Sequence, residues 1–249
     1  MYHTYSLSDA LHNFPAKLKR SVRLRGWFGT MNWGFGKSVA YFADRLAPSR
    51  YYEMRLNRDF DARFGVQTMT YVELSELQIE RGDLAHCNDY APVSAMTLQR
   101  LLPRIKVRYE DFIFVDLGSG KGRSLLLASD WPFKKLVGVE FAGELHRVAQ
   151  DNIRKYKSPT QKCRNFELAH LDAANYPIPN EKTIFFLFNP FHGEVMAKVL
   201  SNIQRSLAEH PRDVFIIYYN PKHRDLVAEF GFVVVESAKM HVIYKNGIS

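Results

Sequence analysis

Residues 112–123 read Phe-Ile-Phe-Val-Asp-Leu-Gly-Ser-Gly-Lys-Gly-Arg, an apolar run followed by an acid and by glycines at alternate positions. The first four residues are all apolar, as expected of a parallel strand that is covered on both faces. Asp116 ends this strand. Gly118, Gly120 and Gly122 have no Cβ, so the backbone can turn sharply and approach a ligand closely. The apolar stretch that follows predicts a helix whose free N–H groups face the same ligand.

Three glycine-rich motifs compete for this segment. A phosphate-binding loop would need glycine at position 115 and Ser or Thr at position 122, where the chain has Val115 and Gly122. The dinucleotide fingerprint would need its third glycine at position 123, which is Arg123. An acid ahead of the glycines would repel a pyrophosphate and suits the cationic end of a ligand. An ordinary turn between a strand and a helix is the remaining alternative.

A second acid follows the next strand. Residues 135–140 read Lys-Leu-Val-Gly-Val-Glu, so Glu140 lies 24 positions after Asp116 (140 − 116). One helix separates the two strands, which predicts a right-handed β-α-β unit. In doubly wound nucleotide folds, an acid at the tip of the second strand accepts hydrogen bonds from the ribose hydroxyls. We therefore expect Glu140 to bind a ribose, with a solvated strand end as the alternative.

Polar residues also follow the later strands. Residues 166–171 predict a third strand, which is followed by Asp172 and Ala173. Residues 183–188 predict a fourth strand, which leads into Asn189, Pro190 and Phe191. An asparagine oxygen and a proline-fixed carbonyl can accept N–H groups of an amine, and an aromatic face can stabilise positive charge. The alternative for Phe191 is a core side chain after a strand that ends at proline.

Strands alternate with helices over most of the chain, which implies a parallel sheet. Residues 232–236 and 240–244 are joined by a short connection and are expected to pair antiparallel. The predicted fold is α/β, a doubly wound, mostly parallel seven-strand sheet with an antiparallel last strand and a helical N-terminal extension. We predict a helical or irregular extension over 1–91 and a ligand-binding domain over 92–249. Pro92 predicts the start of a helix that ends near residue 102.

The acid-x-Gly-x-Gly-x-Gly pattern resembles motif I of class I S-adenosylmethionine (SAM) methyltransferases. The Asn-Pro-Phe segment at 189–191 resembles motif IV of amino methyltransferases, although the second proline of that motif is missing. Upstream, Phe-Gly-Val-Gln-Thr at 64–68 and Tyr-Ala-Pro at 90–92 resemble the lead-in of a bacterial group of class I methyltransferases whose substrates are mostly unassigned. Gln67 stands where that group has Asp. The resemblance covers roughly residues 60–235.

The resemblance implies a SAM-dependent methyltransferase, and it implies a role for each matching residue. The methionine part of SAM is expected on the motif I residues, the ribose on Glu140, the adenine on the Asp-Ala pair, and a lid at Tyr90. The complete cofactor set is Asp116, Gly118, Ser119, Gly120, Gly122, Glu140, Asp172, Ala173 and Tyr90. The acceptor is expected beside Asn189, Pro190 and Phe191, which favour an amino nitrogen. The missing second proline leaves an oxygen acceptor open, with His192, Tyr219 or Tyr90 as candidate bases.

Composition limits the other properties. The 249 residues carry a formal net charge of +8, and the sequence pI is about 9.4. Basic and aromatic residues are concentrated over 17–50, which fits nucleic acid, an anionic membrane surface, or an arm packed on the domain. Two cysteines predict neither a disulfide framework nor a metal site, and a reducing cytoplasm is the default. The apolar fraction of 46% without a long apolar run predicts a soluble globular protein.

Two other functions remain open from the sequence. A nicotinamide-dependent oxidoreductase would share the β-α-β unit, although Arg123 and the Asn189–Phe191 segment count against it. A non-catalytic protein could bind SAM and use its basic arm to recognise an acidic partner.

Overall fold

The computed structural model describes residues 57, 59–70, 72, 90–188 and 191–247. Leu56–Ser249 forms one compact unit, and the other unit, Met1–Arg55, lies outside the described residues. The proposed partner-binding stretch over 17–50 and the predicted acceptor residues Asn189 and Pro190 also lie outside them. The domain boundary between residues 91 and 92 stays a prediction.

Seven strands form one sheet, in the order β3-β2-β1-β4-β5-β7-β6. β7 runs antiparallel to both of its neighbours, β5 and β6, while the pairs among β1 to β5 are parallel. This confirms the predicted fold class, including the reversed last strand. The strands are β1 (Ile113–Leu117), β2 (Lys135–Glu140), β3 (Phe166–His170), β4 (Thr183–Phe188), β5 (Val214–Tyr219), β6 (Phe232–Ser237) and β7 (His241–Asn246).

The central strands are buried on both faces, as their uniformly apolar sequences require. Phe114 packs in a cluster on one face of the sheet, and its neighbour Val115 packs in a second cluster on the other face. The same alternation separates Phe186 from Phe185 on β4. Since successive strand residues point to opposite faces, a strand covered by helices on both sides carries no polar residue until its tip.

Within residues 90–188 and 191–247, the sheet is accompanied by five α-helices, α1 (Thr97–Leu101), α2 (Arg123–Ala128), α3 (Gly143–Lys155), α4 (Gly193–Glu209) and α5 (Arg224–Glu229), and by 3-10 turns at Leu102–Arg104, Tyr109–Asp111 and Ala173–Asn175. A further helical stretch over 59–64 packs through Phe60 against the cluster that contains Phe114. The helix predicted from Pro92 is shorter than expected. It begins at Thr97, because residues 95 and 96 form a turn in which the Ala95 amide donates to Asn57 Oδ1 and the Thr97 amide donates to the Ser94 carbonyl.

The sheet order determines where a ligand site can form. β1 is central, with β2 and β3 on one side and β4 and β5 on the other, so the chain reverses its direction of growth beside β1. In open α/β sheets, ligands bind outside the carboxyl ends of the strands at such a switch point. The tips of β1, β2 and β3 carry the predicted cofactor residues to this edge. In the part of the chain described here, no helix is long and apolar enough to cross a bilayer.

Candidate cofactor and acceptor site

The glycine loop after β1 is a tight turn fixed to the neighbouring strand. Gly118, Gly120 and Gly122 have φ angles of 84°, 53° and 79°, in the left-handed region that favours glycine. The amides of Gly118 and Ser119 donate to the carbonyl of Val139 at 2.9 and 3.0 Å. The predicted motif therefore adopts a backbone conformation that favours glycine at these three positions.

Glu140 at the tip of β2 supports this loop directly. Its Oε2 accepts the amide of Gly120 at 2.8 Å, and its Oε1 accepts the amide of Ala142 at 2.8 Å. The carboxylate is buried, and burial raises its pKa, while the bonds from backbone amides partly oppose that shift. Each carboxylate oxygen can accept a further hydrogen bond, so the predicted contact with ribose hydroxyls remains chemically available.

Asp116 is also buried, at the end of β1, and accepts a hydrogen bond from the hydroxyl of Ser124. Burial raises the pKa of Asp116 to about 7, helped by the nearby charge of Glu140 and opposed by the bond from Ser124. Two buried carboxyl groups therefore lie close enough to influence each other beneath the glycine loop. Such a pair disfavours an anionic ligand and is stabilised by a cation.

The residues predicted to hold adenine lie at the carboxyl end of β3. Asp172 is exposed and caps the 3-10 turn Ala173–Asn175, with its Oδ1 accepting the amide of Ala174 at 2.9 Å. Ala173 is buried. The role of Asp172 and Ala173 toward adenine stays a prediction.

Tyr90 covers the glycine loop. A Cβ added to Gly120 would lie 2.3 Å from two ring carbons of Tyr90, so the ring rests on the bare glycine backbone. The Tyr90 hydroxyl donates to the carbonyl of Thr68 at 2.8 Å, and the Lys121 ammonium lies 5.3 Å from the ring centre. Burial raises the pKa of Tyr90 well above its ordinary value. Such a hydroxyl stays protonated at neutral pH and is a poor general base.

The predicted acceptor side is described only in part. Phe191 is 6% exposed and belongs to the cluster that contains Val115, which also holds Met196 and Tyr218. That position matches the alternative of a core side chain, and a direct role for Phe191 toward an acceptor stays a prediction. Of the candidate bases, His192 is exposed, while Tyr219 is partly buried with its ring edge-on to Phe188, 5.2 Å between centres.

Arg123 is the main residue near this site that sequence reasoning missed. It is the first residue of α2, directly after the glycines, and only 1% of it is exposed. Burial lowers its pKa, and the carboxylate of Asp61 opposes that shift. A cation at a helix N-terminus is disfavoured by the helix dipole. An arginine predicted at this position therefore indicates that a carboxylate or carbonyl from elsewhere in the chain binds it.

An open cleft of about 520 Å³ lies at the opposite edge of the sheet, where β4 and β5 begin and β7 ends. Two of its basic side chains are already engaged. Lys245 pairs with Asp213 at 2.8 Å, and Arg212 donates to the carbonyls of Pro179 and Ser206 at 2.6 and 2.9 Å. No predicted site residue lines this cleft, so the carboxyl edge remains the better candidate.

A known methyltransferase resembles part of this chain. No protein-family model matches the chain. A protein-lysine N-methyltransferase of Saccharolobus islandicus (strain REY15A) is 40% identical over 67 residues, which cover 26% of this chain and 41% of that protein. The resemblance to methyltransferases is confirmed. The chain matches only about two fifths of the length of this relative.

Among solved structures, the pyocyanin biosynthetic protein PhzM aligns with a TM-score of 0.45 at 16% identity, over 61% of this chain and 54% of that protein. The glycopeptide N-methyltransferase MtfA, solved in complex with SAM, aligns with a TM-score of 0.44 at 9% identity, over 61% of this chain and 92% of that protein. The strand order of the chain itself establishes the fold.

Proposed function

We propose that this protein is a SAM-dependent methyltransferase. The observation that carries the proposal is the glycine loop at the switch point of the sheet, held by the buried carboxylate of Glu140 and lying above Asp116. The 40% identical stretch of a protein-lysine N-methyltransferase supports it.

The residues at this edge fit SAM better than a dinucleotide. The positive-φ glycines leave a bare backbone, while the two carboxyl groups beneath them, Asp116 and Glu140, favour a cationic group. SAM carries an ammonium and a sulfonium, whereas NAD would bring a pyrophosphate. We assign the methionine part of SAM to the loop and Asp116, the ribose to Glu140, and the adenine to Asp172 and Ala173.

SAM supplies a methyl group that is activated by its sulfonium, and the chain supplies alignment. A methyl transfer is an in-line displacement, so a bound acceptor atom that is aimed at the methyl carbon provides much of the rate. Glu140 holds the ribose and the loop holds the methionine end, while the Tyr90 ring shields the loop from water. The raised pKa of Tyr90 argues against it as a base, so an acceptor amine would enter neutral and lose its proton to solvent.

We further propose that the acceptor is an amino nitrogen. The Asn189-Pro190-Phe191 sequence supports this, because an amide oxygen and a fixed carbonyl can orient the N–H groups of an amine. The name of the curated relative, which acts on protein lysine, points to the same class of acceptor.

Two experiments test the proposal in sequence. Isothermal titration with SAM, S-adenosylhomocysteine and NAD should give binding for the first two and none for NAD; tight NAD binding with no response to S-adenosylhomocysteine would overturn it. Cell extract incubated with the protein and methyl-labelled SAM is then separated into protein, nucleic acid, lipid and small molecules. The fraction that carries the label identifies the class of acceptor. Label that survives acid and base is expected for a methylated amine, whereas a methyl ester would lose it in base.

Asp116 should make cofactor binding depend on pH. Its pKa of about 7 in the free protein means that it is largely neutral at pH 6 and ionised at pH 8. Because the cationic ligand needs the ionised form, affinity for S-adenosylhomocysteine should rise about tenfold between pH 6 and 7.5, with one proton released. At higher pH, affinity should fall as the α-amino group of the ligand loses its charge.

The control for this prediction is Asp116→Asn, which keeps an acceptor for the Ser124 hydroxyl. This variant should bind more weakly at pH 7.5 and lack the rising limb. Titration calorimetry in buffers of different ionisation enthalpy measures the released proton. A rising limb that survives in Asp116→Asn assigns the titration to another group.

A further inference from the structure

The segment 57–70 lies against the glycine loop; its described residues, 57 and 59–70, are called the docking segment here. Its helical part packs Phe60 against Tyr156 of the domain, with ring centres 5.9 Å apart. Gly65 then turns the chain with a φ of 66°. Residues 66–70 continue toward Tyr90, which lies on Gly120. The docking segment therefore reaches the cofactor loop from outside the β-α-β unit.

Arg123 joins the docking segment to the end of this loop. Its Nη1 donates to Thr68 Oγ1 at 2.5 Å and to Asp61 Oδ1 at 3.4 Å, and its Nη2 donates to Asn57 Oδ1 at 3.1 Å. Its Nε donates to the carbonyl of Val93 at 2.6 Å. The guanidinium therefore binds four upstream acceptors, three in the docking segment and one at Val93.

Asp61 organises the partners of Arg123. Its Oδ1 accepts the hydroxyl of Thr68 at 2.5 Å, and its Oδ2 accepts the amides of Thr68 and Met69 at 2.6 and 2.8 Å. Asn57 likewise accepts the amide of Ala95 at 2.7 Å with the oxygen that faces Arg123. These bonds hold the acceptors in place around Arg123.

Two further side chains connect the same elements. The Lys121 ammonium, inside the glycine loop, donates to the carbonyl of Thr70 at 2.9 Å. Asn152 on α3 accepts the amide of Gln67 at 2.8 Å, while its Nδ2 donates to the carbonyls of Gln67 and Lys121 at 3.2 and 2.9 Å. Asn152 thus holds the docking segment and the glycine loop with one amide group.

The position of Arg123 makes these contacts cooperative. A buried cation at the first residue of a helix is unfavourable unless it is paired. If the docking segment leaves, Arg123 loses Asp61, Thr68 and Asn57 together, and the loop that precedes it loses its cover. With only the Val93 carbonyl left as an acceptor, the buried guanidinium would have to move toward water, which would move the end of the glycine loop with it.

We infer that Arg123 is a positioning residue that couples docking of segment 57–70 to the conformation of the glycine loop, so that the cofactor site forms only when this segment is docked. The identity of the ligand rests on the proposed function; the coupling does not. A site that is competent for only a fraction of the time binds its ligand more weakly by that fraction.

The test compares Arg123→Lys with Arg205→Lys. Lysine at position 123 keeps the charge and removes the forked geometry that reaches four acceptors. Arg205 is exposed on α4 and bonds only to Asn202 in the described structure, so the same chemical change there is a matched control. Asn57→Ala is a milder second variant outside the loop, for use if Arg123→Lys does not fold.

Hydrogen exchange of the amides at 118–122 and 66–70, without ligand, reports the coupling. In Arg123→Lys or Asn57→Ala, both sets should lose protection together, while the amides of β4 keep theirs. Binding of S-adenosylhomocysteine at a temperature where the variant is folded should weaken by about tenfold or more, as for a docked fraction near one tenth. Arg205→Lys should match the wild type in both measurements.

Each other outcome is decisive. If the variants melt earlier but keep loop protection and affinity, Arg123 only stabilises the fold and the inference is wrong. It is also wrong if 66–70 lose protection and 118–122 do not. If the wild type does not bind S-adenosylhomocysteine, the proposed function fails, and the exchange data alone then decide the coupling.

Discussion

Replacing Gly120 with alanine is expected to weaken binding of S-adenosylhomocysteine by at least about thirtyfold and to destabilise the domain. A side chain at a φ of 53° costs roughly 1–2 kcal/mol. Its Cβ would also lie 2.3 Å from the Tyr90 ring, and overpacking of this kind costs about 1–3 kcal/mol. The ring cannot swing aside freely, because its hydroxyl bonds to the carbonyl of Thr68. Calorimetric titration and thermal unfolding measure the two effects.

The control for Gly120→Ala is Gly231→Ala. Gly231 has a similar positive φ of 75°, but the nearest atom to its added Cβ lies at 3.8 Å, so only the backbone cost of about 1–2 kcal/mol applies. Ligand affinity should be unchanged there. The double variant Gly120→Ala/Tyr90→Ala should be more stable than the sum of the two single changes predicts. Strict additivity would show that the clash with Tyr90 is not the cause.

Glu140→Gln is the second change with a large expected effect. The carboxylate accepts amides from Gly120 and Ala142 with its two oxygens. A glutamine must place its NH₂ against one of these N–H groups, and it loses the charge that favours ribose hydroxyls. Hydrogen bonds to a charged group contribute about 1.5–3 kcal/mol, so affinity for S-adenosylhomocysteine should fall by about 10- to 150-fold.

The ribose assignment can be separated from the support that Glu140 gives to the loop. Adenosine and 2′-deoxyadenosine are compared as competitors of S-adenosylhomocysteine. The wild type should prefer adenosine, and Glu140→Gln should lose that preference. Glu167→Gln is the control, because Glu167 is exposed on β3 and pairs with Lys135 at 2.8 Å. A preference for adenosine that persists in Glu140→Gln would remove Glu140 from the ribose site.

The sheet and its carboxyl edge could be predicted from sequence because their signals are local. Apolar runs such as 183–188 give buried strands, and the alternate glycines of 118–122 match their positive φ angles. The late start of α1 was missed because Pro92 is compatible with a helix start but does not require one. Which of Pro92 and Thr97 begins the helix depends on packing that the local sequence does not specify.

The network around Arg123 could not be predicted because its partners are distant in sequence. Asp61 and Asn57 lie 62 and 66 positions before it. The motif that contains Arg123 predicts a role for its glycines and none for Arg123. A short motif also does not specify which upstream side chains bind its last residue. Phe191 illustrates the opposite problem. Its motif suggests the acceptor side, whereas its burial depends on how α4 packs against the sheet.

The contact between Asn152 and residue 67 uses only main-chain atoms of residue 67, and the side chain of Gln67 points to solvent. The residue type at position 67 can therefore change without breaking the contact with Asn152, so Gln can stand where the resembled bacterial group has Asp. Asn152 cannot be replaced in the same way, because its side-chain amide acts as both donor and acceptor in this contact. An asparagine 30 positions after Gly122, the last motif glycine (152 − 122), is therefore a better mark of distant relatives than the pentapeptide at 64–68 alone, because its side chain also donates to the carbonyl of Lys121.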